Sequence, residues 1–149
     1  MSRRIMVRAA AALAGAALLT GCGAASPIQT KKLYAASDGA QVQIGEGLRA
    51  ENLMLLTAAE NEPVRVVGSL VNDTNEQAEI TLDVAGVEQT YSVEPGGVVD
   101  LTTAADVIDG ATGVIPGATA TVVLTAAGSV SHDIPVLDGT FPAYAPLVP

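Results

Sequence analysis

Glu79-Ile80-Thr81-Leu82-Asp83-Val84 alternates polar and apolar residues without a break. In an extended chain successive side chains point to opposite faces. Ile80, Leu82 and Val84 therefore share one face and Glu79, Thr81 and Asp83 the other, the pattern of a strand buried on one side. The neighbouring segments repeat the theme. Residues 64–71 are apolar on both faces, as a central strand is, and Asn72-Asp73-Thr74-Asn75 supplies turn residues, so this segment and 79–84 are expected to form a hairpin. After Ala85-Gly86, residues 87–93 place Val87, Tyr91 and Val93 in phase. Pro95-Gly96-Gly97 then leads into 98–102, giving a second expected hairpin. A third joins 118–126 to 129–136 across Ala127-Gly128, with Pro135 interrupting the last strand near its end. Two segments, 41–44 and 48–56, complete the set at the front. Residues 53–60 contain helix-favouring Leu, Met and Ala, but their neighbours favour strand, and 48–56 is assigned as strand.

Seven or eight short strands with almost no helical periodicity predict an all-β fold, an Ig-like or Greek-key two-sheet β-sandwich over residues 41–138. One short helix is expected between strands. Thr103-Ala104-Ala105-Asp106 has capping-box spacing with Asp in place of Glu, and Gly110 stands where such a turn would stop.

The start of the chain follows a different grammar. Arg3, Arg4 and Arg8 precede about a dozen apolar or small residues, as in an export signal, and this run falls short of the roughly 20 apolar residues that a membrane span needs. It ends on Leu18-Leu19-Thr20-Gly21-Cys22, and Cys22 is the only cysteine in the chain. Leu19, Thr20, Gly21 and Cys22 resemble a bacterial lipobox. The resemblance implies a signal peptide at 1–21, cleavage before Cys22, and a diacylglyceryl thioether on its sulfur, often with a further amide-linked acyl chain. Two chains anchor a protein stably where one does so marginally. Residues 22–40 are small, polar and turn-rich, and are expected to be a lipidated tether about 20–25 Å in mean reach.

Without residues 1–21 the chain retains Lys31, Lys32, Arg49 and Arg65 against sixteen acids. Such a charge argues against nucleic acid as a partner and for a solvated acidic surface. Chemistry-bearing residues are sparse. His132 lies between Ser131 and Asp133, but adjacent strand residues face opposite ways, so the three do not form a triad and no enzyme is expected. Copper needs several soft ligands, and Met54 and His132 are the two available after the signal. For calcium the nearest approach is Asp106-Val107-Ile108-Asp109-Gly110, which lacks the repeated acids of a binding loop. No cofactor is expected.

The last segment, 139–149, contains Pro142, Pro146 and Pro149, which exclude a regular helix or a central strand and favour an extended course. Phe141, Tyr144, Leu147 and Val148 nevertheless concentrate apolar side chains there. The segment therefore either docks on the domain or serves as a partner-binding motif, with Phe141 and Tyr144 as the contact residues.

Together the lipobox, Val67-Gly68-Ser69-Leu70-Val71-Asn72-Asp73, Val93-Glu94-Pro95-Gly96-Gly97 and the ending Pro135-Val136-Leu137-Asp138-Gly139-Thr140 with Tyr144 and Leu147-Val148-Pro149 resemble the small envelope lipoproteins of actinobacteria, the mycobacterial Lpq-type proteins. That resemblance implies a lipid-anchored, Ig-like domain facing outward from the cytoplasmic membrane, and it brings no activity with it. Similar sandwich lipoproteins include copper chaperones, whose Met/His pattern this sequence lacks. The expected function is a noncatalytic protein-interaction or assembly module with another envelope protein as partner. The alternative is an extracytoplasmic binder of a small ligand or a metal ion such as copper or calcium. Replacement Cys22→Ser is expected to stop processing and acylation, leaving an uncut, unmodified precursor by intact-mass measurement of the membrane fraction.

Overall fold

A computed structural model describes residues 37–149. The signal, Leu19, Thr20, Gly21, Cys22 and most of the tether lie outside the described residues. Eight strands follow in order: β1 (Ala40–Gly45), β2 (Leu48–Leu56), β3 (Arg65–Asn72), β4 (Ala78–Val84), β5 (Val87–Val93), β6 (Val98–Asp100), β7 (Thr119–Thr125) and β8 (Ser129–Leu137). A single turn of helix, α1 (Leu101–Ala104), follows β6. The fold is the all-β sandwich that the alternating segments predict.

One sheet runs β6-β3-β2, with β1 on the remaining edge of β2; the other runs β5-β4-β7-β8. The end of β8 crosses over, and Val136 and Leu137 pair in parallel with Leu55 and Leu56 of β2, joining the two sheets at one seam. Pro135 marks the crossing. It faces Thr119 across the β7 ladder, and a residue without an N–H suits the place where one ladder gives way to the next. Between the sheets Leu53, Leu55, Val66 and Leu70 meet Ile80, Leu82, Val122, Leu124 and Ile134 in one buried cluster.

Of the three expected hairpins, β7–β8 forms as expected, with pairs from Thr119↔Pro135 to Thr125↔Ser129. The other two do not. β3 pairs with β2 and β6, while β4 pairs with β5 and β7, so the 73–77 connection passes from one sheet to the other. Likewise 94–97 passes back from β5 to β6. A tight hairpin and a short crossing between sheets both need turn residues, and local sequence does not separate them. Here Asn72 fixes the crossing. Its fully buried side chain donates to the Glu76 and Val93 carbonyls at 2.8 and 3.0 Å and accepts from the backbone and hydroxyl of Thr74 at 2.9 and 2.6 Å. The turn that Ala85-Gly86 makes is instead the β4–β5 hairpin, with φ of 53° and 87° at its two central residues, as a type I′ turn requires.

The helix begins earlier than its sequence signature suggests. Asp100, not Thr103, caps it, its carboxylate accepting from the Thr102 N–H at 2.9 Å, and the turn ends when the Ala105 N–H reaches the Leu101 carbonyl. Beyond it Ala105, Ile108, Ala111 and Val114 are buried in the main core, so the 105–118 connection closes one mouth of the sandwich.

β2 decides the packing of its sheet. Leu48 and Ala50 point into the core, and then one extra residue intervenes: Glu51 pairs with Ser69 and Met54 with Val67, three steps on β2 against two on β3. This is a β-bulge, and Asn52 occupies it with a φ of 52°. Past it the phase inverts. Leu53 and Leu55 now face the main core, and Met54 and Leu56 face outward. Opposite the bulge, a Cβ on Gly68 would lie 2.9 Å from the carbonyl oxygens of Glu51 and Asn52, and its φ is 138°. Gly68→Ala is therefore expected to destabilise the domain by about 1–3 kcal/mol, from backbone strain alone, read as a lower urea midpoint with unchanged slope.

Candidate functional site

The inverted phase leaves Met54, Leu56 and Val67 on the outer face of their sheet, where they would meet water. Residues 139–149 cover them. Tyr144, Leu147 and Val148 pack onto Met54, Leu56 and Val67 with Leu137 beside them, a second apolar cluster apart from the main core. The segment is not the extended tail that its prolines suggest. The Phe141 carbonyl accepts from the N–H groups of Tyr144 and Ala145 at 2.9 and 3.0 Å, and the Tyr144 carbonyl from Leu147 and Val148 at 2.8 and 3.2 Å, giving two successive turns. Pro142 occupies the second position of the first turn, where its fixed φ is favourable. Proline spacing excludes a regular helix and a central strand, and the expected extended course gives way to turns because Pro142 presets the first one.

Two polar links hold the segment at its sides. Arg65 donates from Nε to the Leu147 carbonyl at 2.7 Å, and the Tyr144 hydroxyl donates to the Asp38 carboxylate at 2.5 Å. The Asp38 hydrogen bond, with some burial, raises the Tyr144 pKa above that of an ordinary phenol. At the entry to the segment the Thr140 N–H bonds to the Asp138 carboxylate at 2.9 Å and holds its pKa below the usual carboxylate range. Of the two expected contact residues, Tyr144 is thus spent largely on docking. Phe141 stands out of the surface, 61% exposed, its ring edge-on to Tyr144 with centroids 6.3 Å apart.

The other candidates are separated by the fold. Met54 is fully buried beneath the C-terminal turns. His132 is exposed on β8, opposite Val122 and on the part of the strand that pairs on one side alone. Its neighbour Asp133 accepts from the Thr121 hydroxyl across the ladder at 2.8 Å. Asp106 and Asp109 are exposed and flank Ile108, which is buried and exchanges backbone hydrogen bonds with Val64 at 2.8 and 2.9 Å, so the strand-like course between them is fixed by the core. Among the described residues no three His, Cys, Asp or Glu side chains gather closely enough to hold a metal ion.

Sequence spacing did not reveal one concavity. An open cleft of about 690 Å³ lies where the 74–79 crossing passes the start of β2 and the β7–β8 turn, and Glu46, Glu76 and Glu79 are among its lining residues. These acids come from two separate connections and a strand, 33 residues apart at the extremes, so no local motif announces them.

This sandwich has a solved counterpart. It is similar to a copper-bound PCuAC domain from PmoF2, with a TM-score of 0.51 and 17% sequence identity over 66% of this chain and 97% of that domain. At that identity the likeness establishes a shared β fold. No protein-family model matches the sequence, and no curated protein does. The PCuAC likeness spans nearly the whole of that domain and about two thirds of this chain.

Truncation after Asp138 is expected to uncover Met54, Leu56 and Val67 and lower stability by about 1–3 kcal/mol, measured by urea unfolding. Tyr144→Phe keeps the apolar cover and removes the Asp38 bond, with an expected loss of about 0.5–1.5 kcal/mol.

Proposed function

We propose that the chain is a noncatalytic binding module of the cell envelope, exported and anchored through a lipid on Cys22, that works through contacts with other envelope components. The observation that supports it is the C-terminal segment. Residues 139–149 carry no charged side chain in a strongly acidic chain, and they hold Phe141 outward on hydrogen-bonded turns. An exposed aromatic ring on a preorganised support loses little freedom on binding, which is the property of an anchor residue at an interface.

The likeness to a copper-bound PCuAC domain favours a second reading, an extracytoplasmic metal-ion binder. In this reading His132 and Met54 are the soft ligands of the domain, and Met54 becomes accessible when the C-terminal turns lift. Their separation in the fold is why we place it second.

The two readings part in a direct comparison. Native lipidated protein isolated from its own envelope is expected to bring down envelope components, and the lipid or protein lost with the Phe141→Ala variant identifies what the ring touches. In a chelator competition, Cu(I) affinity is expected to be no higher for the wild type than for a His132→Ala, Met54→Leu double variant, and EDTA is expected to leave the Tm in place. Tight Cu(I) binding that the double variant abolishes would establish the metal reading instead.

A further inference from the structure

The proposed lipid anchor brings Asp38 into the argument, because the chain enters the domain there after only sixteen residues from Cys22. Sixteen residues span at most about 55 Å even when fully extended, which bounds the distance from Asp38 to a lipid on Cys22. Asp38 accepts the Tyr144 hydroxyl bond, and Tyr144 carries Phe141 against its ring. The most exposed aromatic side chain among the described residues therefore lies two contacts from the root of the tether. Around it Pro142, Ala143, Ala145 and Pro146 are also exposed, all uncharged. Elsewhere the described surface is acidic, with sixteen carboxylates in the chain and two arginines in this region. Arg49 is engaged by Glu51 and Asp73, and Arg65 by the Leu147 carbonyl.

We propose that the 139–149 segment is the membrane-facing foot of the domain, with Phe141 seated in the headgroup interface of the bilayer that holds the Cys22 lipid. This rests on the anchored reading above and goes further, naming lipid as what Phe141 touches. On segments that lie at a membrane surface, Phe, Trp and Leu side chains bury at the boundary of headgroups and acyl chains. The foot alone binds weakly. The tether supplies the effective concentration, since linkage to the surface makes the second contact intramolecular. Repulsion between the acidic domain and an anionic bilayer opposes the contact and is screened beyond a Debye length, about 8 Å at physiological salt, whereas residues 139–149 add no charged side chain to it.

The chain contains no tryptophan, so one introduced indole reports alone. Phe141→Trp is tested against Val98→Trp. Phe141 and Val98 are 61% and 62% exposed, so neither change disturbs the core. Val98 pairs with Val71, at the end of β3 remote from Arg65 and about 20 Å along the strand. The chain from Cys22 onward, which contains the whole described core, is coupled through its sole thiol to a maleimide lipid in phosphatidylcholine vesicles. Emission from Phe141→Trp is expected to shift to the blue on coupling and to be quenched by lipid brominated near the headgroup, while Val98→Trp stays as in solution. An unshifted, unquenched Phe141→Trp, or equal shifts at both positions, overturns the proposal. Coupling makes the result independent of acylation in cells. An unmodified native Cys22 by mass spectrometry would overturn the anchored reading and leave these spectra standing as a property of the foot.

Discussion

The residue that Asn52 adds to β2 governs how both faces of its sheet are used. An antiparallel strand has a period of two, so a single insertion exchanges the side chains of its two faces from that point on. Without it, Met54 and Leu56 would continue the phase of Leu48 and Ala50 into the core, and Leu53 and Leu55 would point out. Asparagine tolerates the left-handed conformation of the bulge, and its side-chain oxygen accepts the Gly39 N–H at 3.0 Å. Gly39 and Gly68 flank it, and a Cβ on either would fall within 3.0 Å of Asn52 backbone atoms. The first described residues, the bulge and the middle of β3 thus form one close backbone contact.

From this follows the second cluster. Because four consecutive residues, 53–56, are apolar, a strand of either phase presents two to the outside, and an outer cover is required whichever pair faces in. The C-terminal turns provide it and take their anchor points from the start of the described chain, Asp38, and the start of β3, Arg65. The same economy appears in the 105–118 connection, which lends Ile108, Ala111 and Val114 to the main core. Polar groups drawn inside by these arrangements are satisfied. Asn72 makes four hydrogen bonds, and the Thr57 hydroxyl donates to the Ala59 carbonyl at 2.9 Å.

A shared scaffold with a copper-bound domain does not carry the chemistry with it, because a site is a constellation of side chains placed on the fold. On this scaffold the thioether of Met54 is used as an apolar filler, a role that methionine's flexible side chain suits. The surface features that remain are a C-terminal segment without charged side chains and an acidic cleft where two connections meet. The C-terminal segment ties the exposed ring of Phe141 to the first described residues, through the edge-on contact with Tyr144 and the Tyr144–Asp38 hydrogen bond.

The sequence alone determined the strands, because alternation at 79–84 and its neighbours is a local consequence of burying one face of an extended chain. It also determined the all-β class and marked 139–149 as a segment with more apolar groups than a solvated tail needs. Pairing was another matter. Whether 73–77 makes a hairpin or a crossing depends on what the far strands bury, and β2 and β6 claim both edges of β3. The candidate site was legible as residue types, Phe141 and Tyr144, and illegible as geometry, since Tyr144 meets Asp38 across 106 residues of chain. Only tertiary structure brings those two together, for a hydrogen bond requires a distance that sequence separation does not encode.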